Sequence, residues 1–119
     1  MSTIKIAVLV RAETSERCIG KGCLRSFFAK SEAFARYADQ EIELVGFVHN
    51  GGDLERKIAQ MLAAGVEVVH LSTCMRGRDP RYAEIAARLS RDFTVVGYTH
   101  GSAEGKATAT SNFVKGESR

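Results

Sequence analysis

Four short runs of β-branched and apolar residues, set apart by segments of helical period, constrain this chain more than any other feature. The runs are Ile4 to Val10, Ile42 to Val48, Val66 to Leu71 and Phe93 to Tyr98. Branched and aromatic side chains fit a pleated strand, and a run that is apolar on successive residues suits a strand covered on both faces. Between the runs, Leu24, Phe27, Phe28, Phe34 and Tyr37 mark a first helix. Leu54, Ile58, Met61 and Leu62 mark a second, and Tyr82, Ile85, Ala86 and Leu89 a third. Asp53 is placed to cap the start of the second helix and Gly65 its end, while Asp79 and Pro80 open the third.

The order is therefore βαβαβαβ, which requires parallel strands joined by right-handed crossovers. The expected fold is an α/β single-domain three-layer sandwich, a four-stranded parallel sheet with helices on both faces, flavodoxin- or Rossmann-like. Strand order 2-1-3-4 is expected because it sets the first strand inside the sheet. With 119 residues there is room for one core. That domain is read as residues 1–101, and residues 102–119 as a polar C-terminal tail that frays or docks through Phe113 and Val114.

Seventeen Lys and Arg against fourteen Asp and Glu leave a formal charge of +3, with both signs scattered along the chain. A basic footprint for nucleic acid or a membrane surface is absent, so neither is expected as a partner. The apolar start is too short to cross a bilayer and carries no cleavage-site pattern, which points to the cytoplasm. In that reducing compartment the three cysteines are expected as free thiols.

Parallel strands all end on one side of an α/β sheet, and ligands bind in the crevice there. That carboxyl edge collects Arg11, Cys18 and Cys23 after the first strand, and His49, Asn50, Gly51, Gly52 and Asp53 after the second. Cys74 follows the third strand and His100 the fourth. Zinc takes four ligands drawn from Cys and His, so Cys18, Cys23 and Cys74 with His100 or His49 make a full set if the loops converge. Cys23 begins the first helix beside Arg17, Lys21 and Arg25, a setting that favours a thiolate. His70, inside the third strand, reads as a hydrogen-bonded structural histidine.

The turn Asn50-Gly51-Gly52-Asp53, with Arg11 nearby, could offer backbone N–H groups to a small anion. Named phosphate motifs are missing. After GKGC, Arg25 stands where G-x-G-x-x-G needs its third glycine, and no Walker sequence occurs. A Cys-x5-Arg loop fails by one residue at both Cys18 and Cys74, although Arg76, Arg78 and Arg81 keep the rim basic.

Taken together, IKIAVLVR, Cys18, VGFVHNGGD, VVHLSTCM and VVGYTHG resemble the CGGC domain family of small α/β proteins. The resemblance implies metal binding. The family's defining element is two cysteines around a glycine pair, and here Asn50 and Asp53 stand in the cysteine positions beside Gly51 and Gly52. Cys18, Cys74 and His100 fall on matching positions, with Cys23 and His49 as replacements for the missing thiols. Asp53 remains a possible ligand, although a carboxylate is a harder donor than sulfur. The expected function is thus binding of zinc or another transition metal by this Cys/His cluster. The alternative is a thiol-dependent enzyme or redox protein acting on a small anionic substrate, with Cys74 or Cys23 as nucleophile and His100 as acid/base.

Overall fold

A computed structural model of the protein describes residues 3–101 and 112–113. Strands β1 (Ile4–Val10), β2 (Ile42–His49), β3 (Val68–Leu71) and β4 (Thr94–Val96) form a parallel sheet in the order β2-β1-β3-β4. A two-residue strand β5 (Asn112–Phe113) pairs antiparallel with β4 and adds a fifth member beyond the four expected. The rest of the tail read as residues 102–119, including Val114, lies outside the described residues.

Alternation along β1 shows how the sheet divides the core. Ile6, Val8 and Val10 point to one face, where they meet Cys23, Phe27, Phe34, Tyr37 and Tyr98. Ala7 and Leu9 point to the other and pack with Ile58, Met61, Met75, Ile85 and Leu89. A side chain of this size contributes roughly 1.5–3 kcal/mol on burial, so the two apolar layers fix β1 in the interior of the sheet. β2 departs from the expectation of two covered faces. As the edge strand it leaves Glu43, Phe47 and His49 exposed, and a bulge at Val45 shifts its register against β1 between Ile6 and Ala7.

Helix α3 (Leu54–Ala63) starts where the sequence indicates, since the Asp53 carboxylate accepts from Arg56 N at 3.0 Å. Helix α5 (Tyr82–Leu89) starts later than Asp79 and Pro80 indicate, with Arg81 at its N-cap and no side-chain cap; Asp79 Oδ1 accepts from Arg81 N at 2.8 Å in the turn before it. The expected first helix is broken in two. α2 (Lys21–Ala29) ends at Lys30, which is left-handed at φ 51°, and a 3-10 helix (Glu32–Tyr37) follows. Periodicity misses the break because Phe27, Phe34 and Tyr37 return to the sheet on either side of it. Phe28, one residue off that face, is 73% exposed. Two short helices carry no apolar stripe and escape such a reading, α1 (Ala12–Ser15) and α4 (Thr73–Arg78).

His70 is fully buried on β3. Its Nε2 lies 2.8 Å from the Tyr37 hydroxyl, its Nδ1 lies 3.0 Å from Tyr98 O, and its ring stacks on Phe34 at 4.1 Å. A carbonyl can only accept, so Nδ1 carries the proton and Nε2 accepts from the phenol. No helix among the described residues is long and apolar enough to cross a membrane.

Candidate functional site

At the carboxyl edge the β3 and β4 ladders stop, and side chains take over the hydrogen bonding. Thr73 Oγ1 donates to His100 O at 2.6 Å and accepts from His100 N at 3.1 Å and Thr99 N at 3.3 Å. One hydroxyl thereby ties the start of α4 to the chain leaving β4. Thr99, itself buried, lies 3.1 Å through its hydroxyl from the Cys23 sulfur. The Glu32 carboxylate closes the same end, accepting from Gly101 N at 2.8 Å and from the Ser26 hydroxyl at 2.9 Å, which holds its pKa below the ordinary carboxylate value.

These bonds frame a cavity of about 550 Å³ lined by Cys18, Cys23, Cys74 and His100, together with Val10, Phe47, Thr73 and Arg78. Among the described residues no carboxylate lines it. The three thiols reach it from three different elements. Cys18 is exposed in the loop between α1 and α2, and its sulfur accepts from Gly20 N at 3.4 Å. Cys23 is in the first turn of α2 and only 6% exposed. Cys74 is half-buried, not in a loop but as the second residue of α4, with its sulfur 2.7 Å from the Ser72 hydroxyl.

Burial pushes the Cys23 thiol up. The Thr99 hydroxyl offsets part of that, and the Cys74 and Cys18 thiols beside it raise it further. This corrects the expected thiolate. The position at a helix N-terminus is as anticipated, but Arg17, Lys21 and Arg25 are all exposed, and the cost of charging a buried sulfur prevails.

Two glycines that sequence reasoning passed over shape the cavity. Gly20 has φ +81°, and a Cβ there would stand 2.7 Å from Cζ of Phe47. Gly22 lets the His100 imidazole lie against the first turn of α2, where a Cβ would meet Nε2 at 3.0 Å. The signal was present in GKGC, but small residues opposite a ring cannot be paired from sequence. Gly22→Ala is expected to displace the imidazole and cost about 1 kcal/mol or more, as overpacking does. Heteronuclear NMR of the His100 ring checks it, and an unmoved imidazole resonance overturns the contact.

The remaining sequence candidates lie apart from this cluster. His49 lines an adjoining hollow of about 430 Å³ that also borders Cys18, and its Nδ1 accepts from Gly51 N at 3.0 Å. Lys57 Nζ donates to His49 O at 2.7 Å and to Gly51 O at 2.8 Å. Asp53 caps α3. Asn50 Oδ1 accepts from Ala12 N at 2.8 Å while its Nδ2 donates to Asp79 Oδ2 at 2.8 Å. The turn's polar groups thus engage the chain itself. Arg11 lies outside the cavity lining; it donates to Thr14 Oγ1 at 3.3 Å and keeps a buried Nε without a hydrogen-bond partner.

Cys18, Cys23, Cys74 and His100 supply sulfur and nitrogen of the kind that transition metals prefer. Their arrangement is not that of a ready-made centre. Among the described residues no three His, Cys, Asp or Glu side chains are placed to hold a metal ion. Each sulfur instead keeps its own hydrogen-bond partner, so the tetrahedral zinc set expected from the sequence is not assembled here.

Compared with known families, residues 5–100 match the model described as the CGGC domain. No curated protein and no solved structure matches the chain.

Proposed function

The chain belongs to the CGGC domain family, and from that premise we propose that it binds zinc or another thiophilic transition metal in the cavity at the carboxyl edge. One observation carries this reading: three thiols and an imidazole from separate parts of the chain line a single cavity that contains no carboxylate among the described residues. Sulfur-rich, carboxylate-free donor sets favour zinc and softer ions over magnesium or calcium.

Hydrogen bonds to sulfur are weak, so exchanging the Gly20, Thr99 and Ser72 partners for metal contacts costs little. Cys18 can move most readily because it sits exposed in a loop. Thiols must lose their protons to ligate, so uptake strengthens as pH rises.

Protein prepared without chelators is expected to take up about one zinc ion per chain, as a single closed site would. Elemental analysis and competition with a chromogenic chelator measure this. Uptake disappears in the Cys18→Ser, Cys74→Ser double variant. Retention of the full equivalent by that variant, or no uptake by the unaltered chain, overturns the proposal.

A further inference from the structure

Resting on the reading of this cavity as a thiol donor site, we propose that its guest class includes trivalent arsenic, bonded to the sulfurs of Cys18, Cys23 and Cys74 when inorganic, or to two of them when it carries one organic substituent, which then lies along Val10 and Phe47. The number of donors comes first. Trivalent arsenic makes three bonds and points a lone pair in the fourth direction, so three sulfurs complete it. A tetrahedral ion needs a fourth ligand, and the Nε2 edge of His100 lies against Gly22.

Charge comes second. Each thiol that condenses with an As–OH group forms one As–S bond and breaks one As–O bond, and the displaced hydroxyl leaves as water with the thiol proton. Arsenous acid thus gives three As–S bonds and three waters; a mono-organic arsenical gives two of each. Arsenic stays trivalent, no electrons are transferred, and the cavity gains no net charge. A divalent cation on three thiolates instead leaves one negative charge beside Cys23, which is 6% exposed, and depends on Arg78, the cationic side chain of the lining among the described residues, to balance it.

Size comes third. A cavity of about 550 Å³ falls in the range of organic-ligand pockets and far exceeds one ion. Val10 and the ring of Phe47 give it an apolar wall beside the sulfurs.

The test treats the reduced full chain with phenylarsine oxide or with arsenite. Intact mass and the count of alkylatable thiols are then read, with zinc uptake measured in parallel. One phenylarsenic per chain, masking two thiols and released by a small dithiol, is expected; arsenite masks all three. The Cys18→Ser, Cys74→Ser double variant retains a single thiol and loses affinity for phenylarsine oxide on the order of a hundredfold or more, because the second bond is an intramolecular one. Phe47→Ala weakens phenylarsine oxide several-fold more than it weakens arsenite, which separates the organic from the inorganic source. Equal affinity in the double variant and the unaltered chain overturns the inference. Zinc uptake without arsenic binding also overturns it while sparing the cation reading; failure of both removes both.

Discussion

Between pH 7 and pH 4 the protein is expected to lose stability more steeply than a His70→Gln variant. Burial holds the His70 imidazole down to about 3; the bond to Tyr98 O opposes that shift and Arg36 adds slightly to it. Above the ordinary value of about 6.5 both folded and unfolded chains carry neutral imidazole, and the contribution is complete. As pH falls below that value the unfolded chain binds a proton that the folded chain excludes, and stability drains away until the folded group also titrates. The loss approaches roughly 4 kcal/mol by pH 3, at about 1.4 kcal/mol per unit.

The same network sets an alkaline limit. Burial pushes the Tyr37 phenol up to about 12, so its contribution is full below pH 10 and fades as pH rises from there toward 12. Urea melts followed by circular dichroism across pH 3–8 for both proteins decide the acid limb. His70→Gln is expected to be less stable at pH 7, with the gap narrowing as pH falls. A gap that stays constant would remove His70 as the source.

Asn50→Ala is expected to lower stability by roughly 2 kcal/mol, because it strands two partners in a half-buried setting, one of them charged. Ala12 N loses its 2.8 Å acceptor and Asp79 Oδ2 its 2.8 Å donor. Three chain segments come undone together: the start of α1, the end of β2, and the α4–α5 connection. For a chain of this length that is a fall of roughly 5–10 °C in Tm. Asn50→Cys, which puts a thiol into the turn, forfeits both bonds as well. It is expected to gain a thiol at the edge while melting nearly as early as Asn50→Ala. Thermal melts of the two variants check this, and a cysteine variant as stable as the unaltered chain would show that the amide is dispensable. In this chain Asn50 and Asp53 act as structural fasteners.

The sheet was legible because its signals are local. The apolar runs over β1, β3 and β4 follow from strand burial, and the Asp53 cap from side-chain reach over three residues. The broken first helix was not legible, since apolar positions on both sides of Lys30 keep a helical count while the backbone reverses. Nor was the setting of Cys23. Its place in the first turn of α2 was readable, but whether a thiol ionises depends on what covers it, and Thr99 and Cys74 come from distant parts of the chain.

By itself, then, the sequence determined that strands and helices alternate, that parallel crossovers follow, and that Cys18, Cys23, Cys74 and His100 fall on one edge, because handedness and period are properties of neighbouring residues. Only the tertiary structure decided that these four line one cavity while His49, Asp53 and Asn50 serve the turn beside it. That division rests on contacts such as Gly22 against His100 and Thr73 across to β4, which short-range pattern cannot encode.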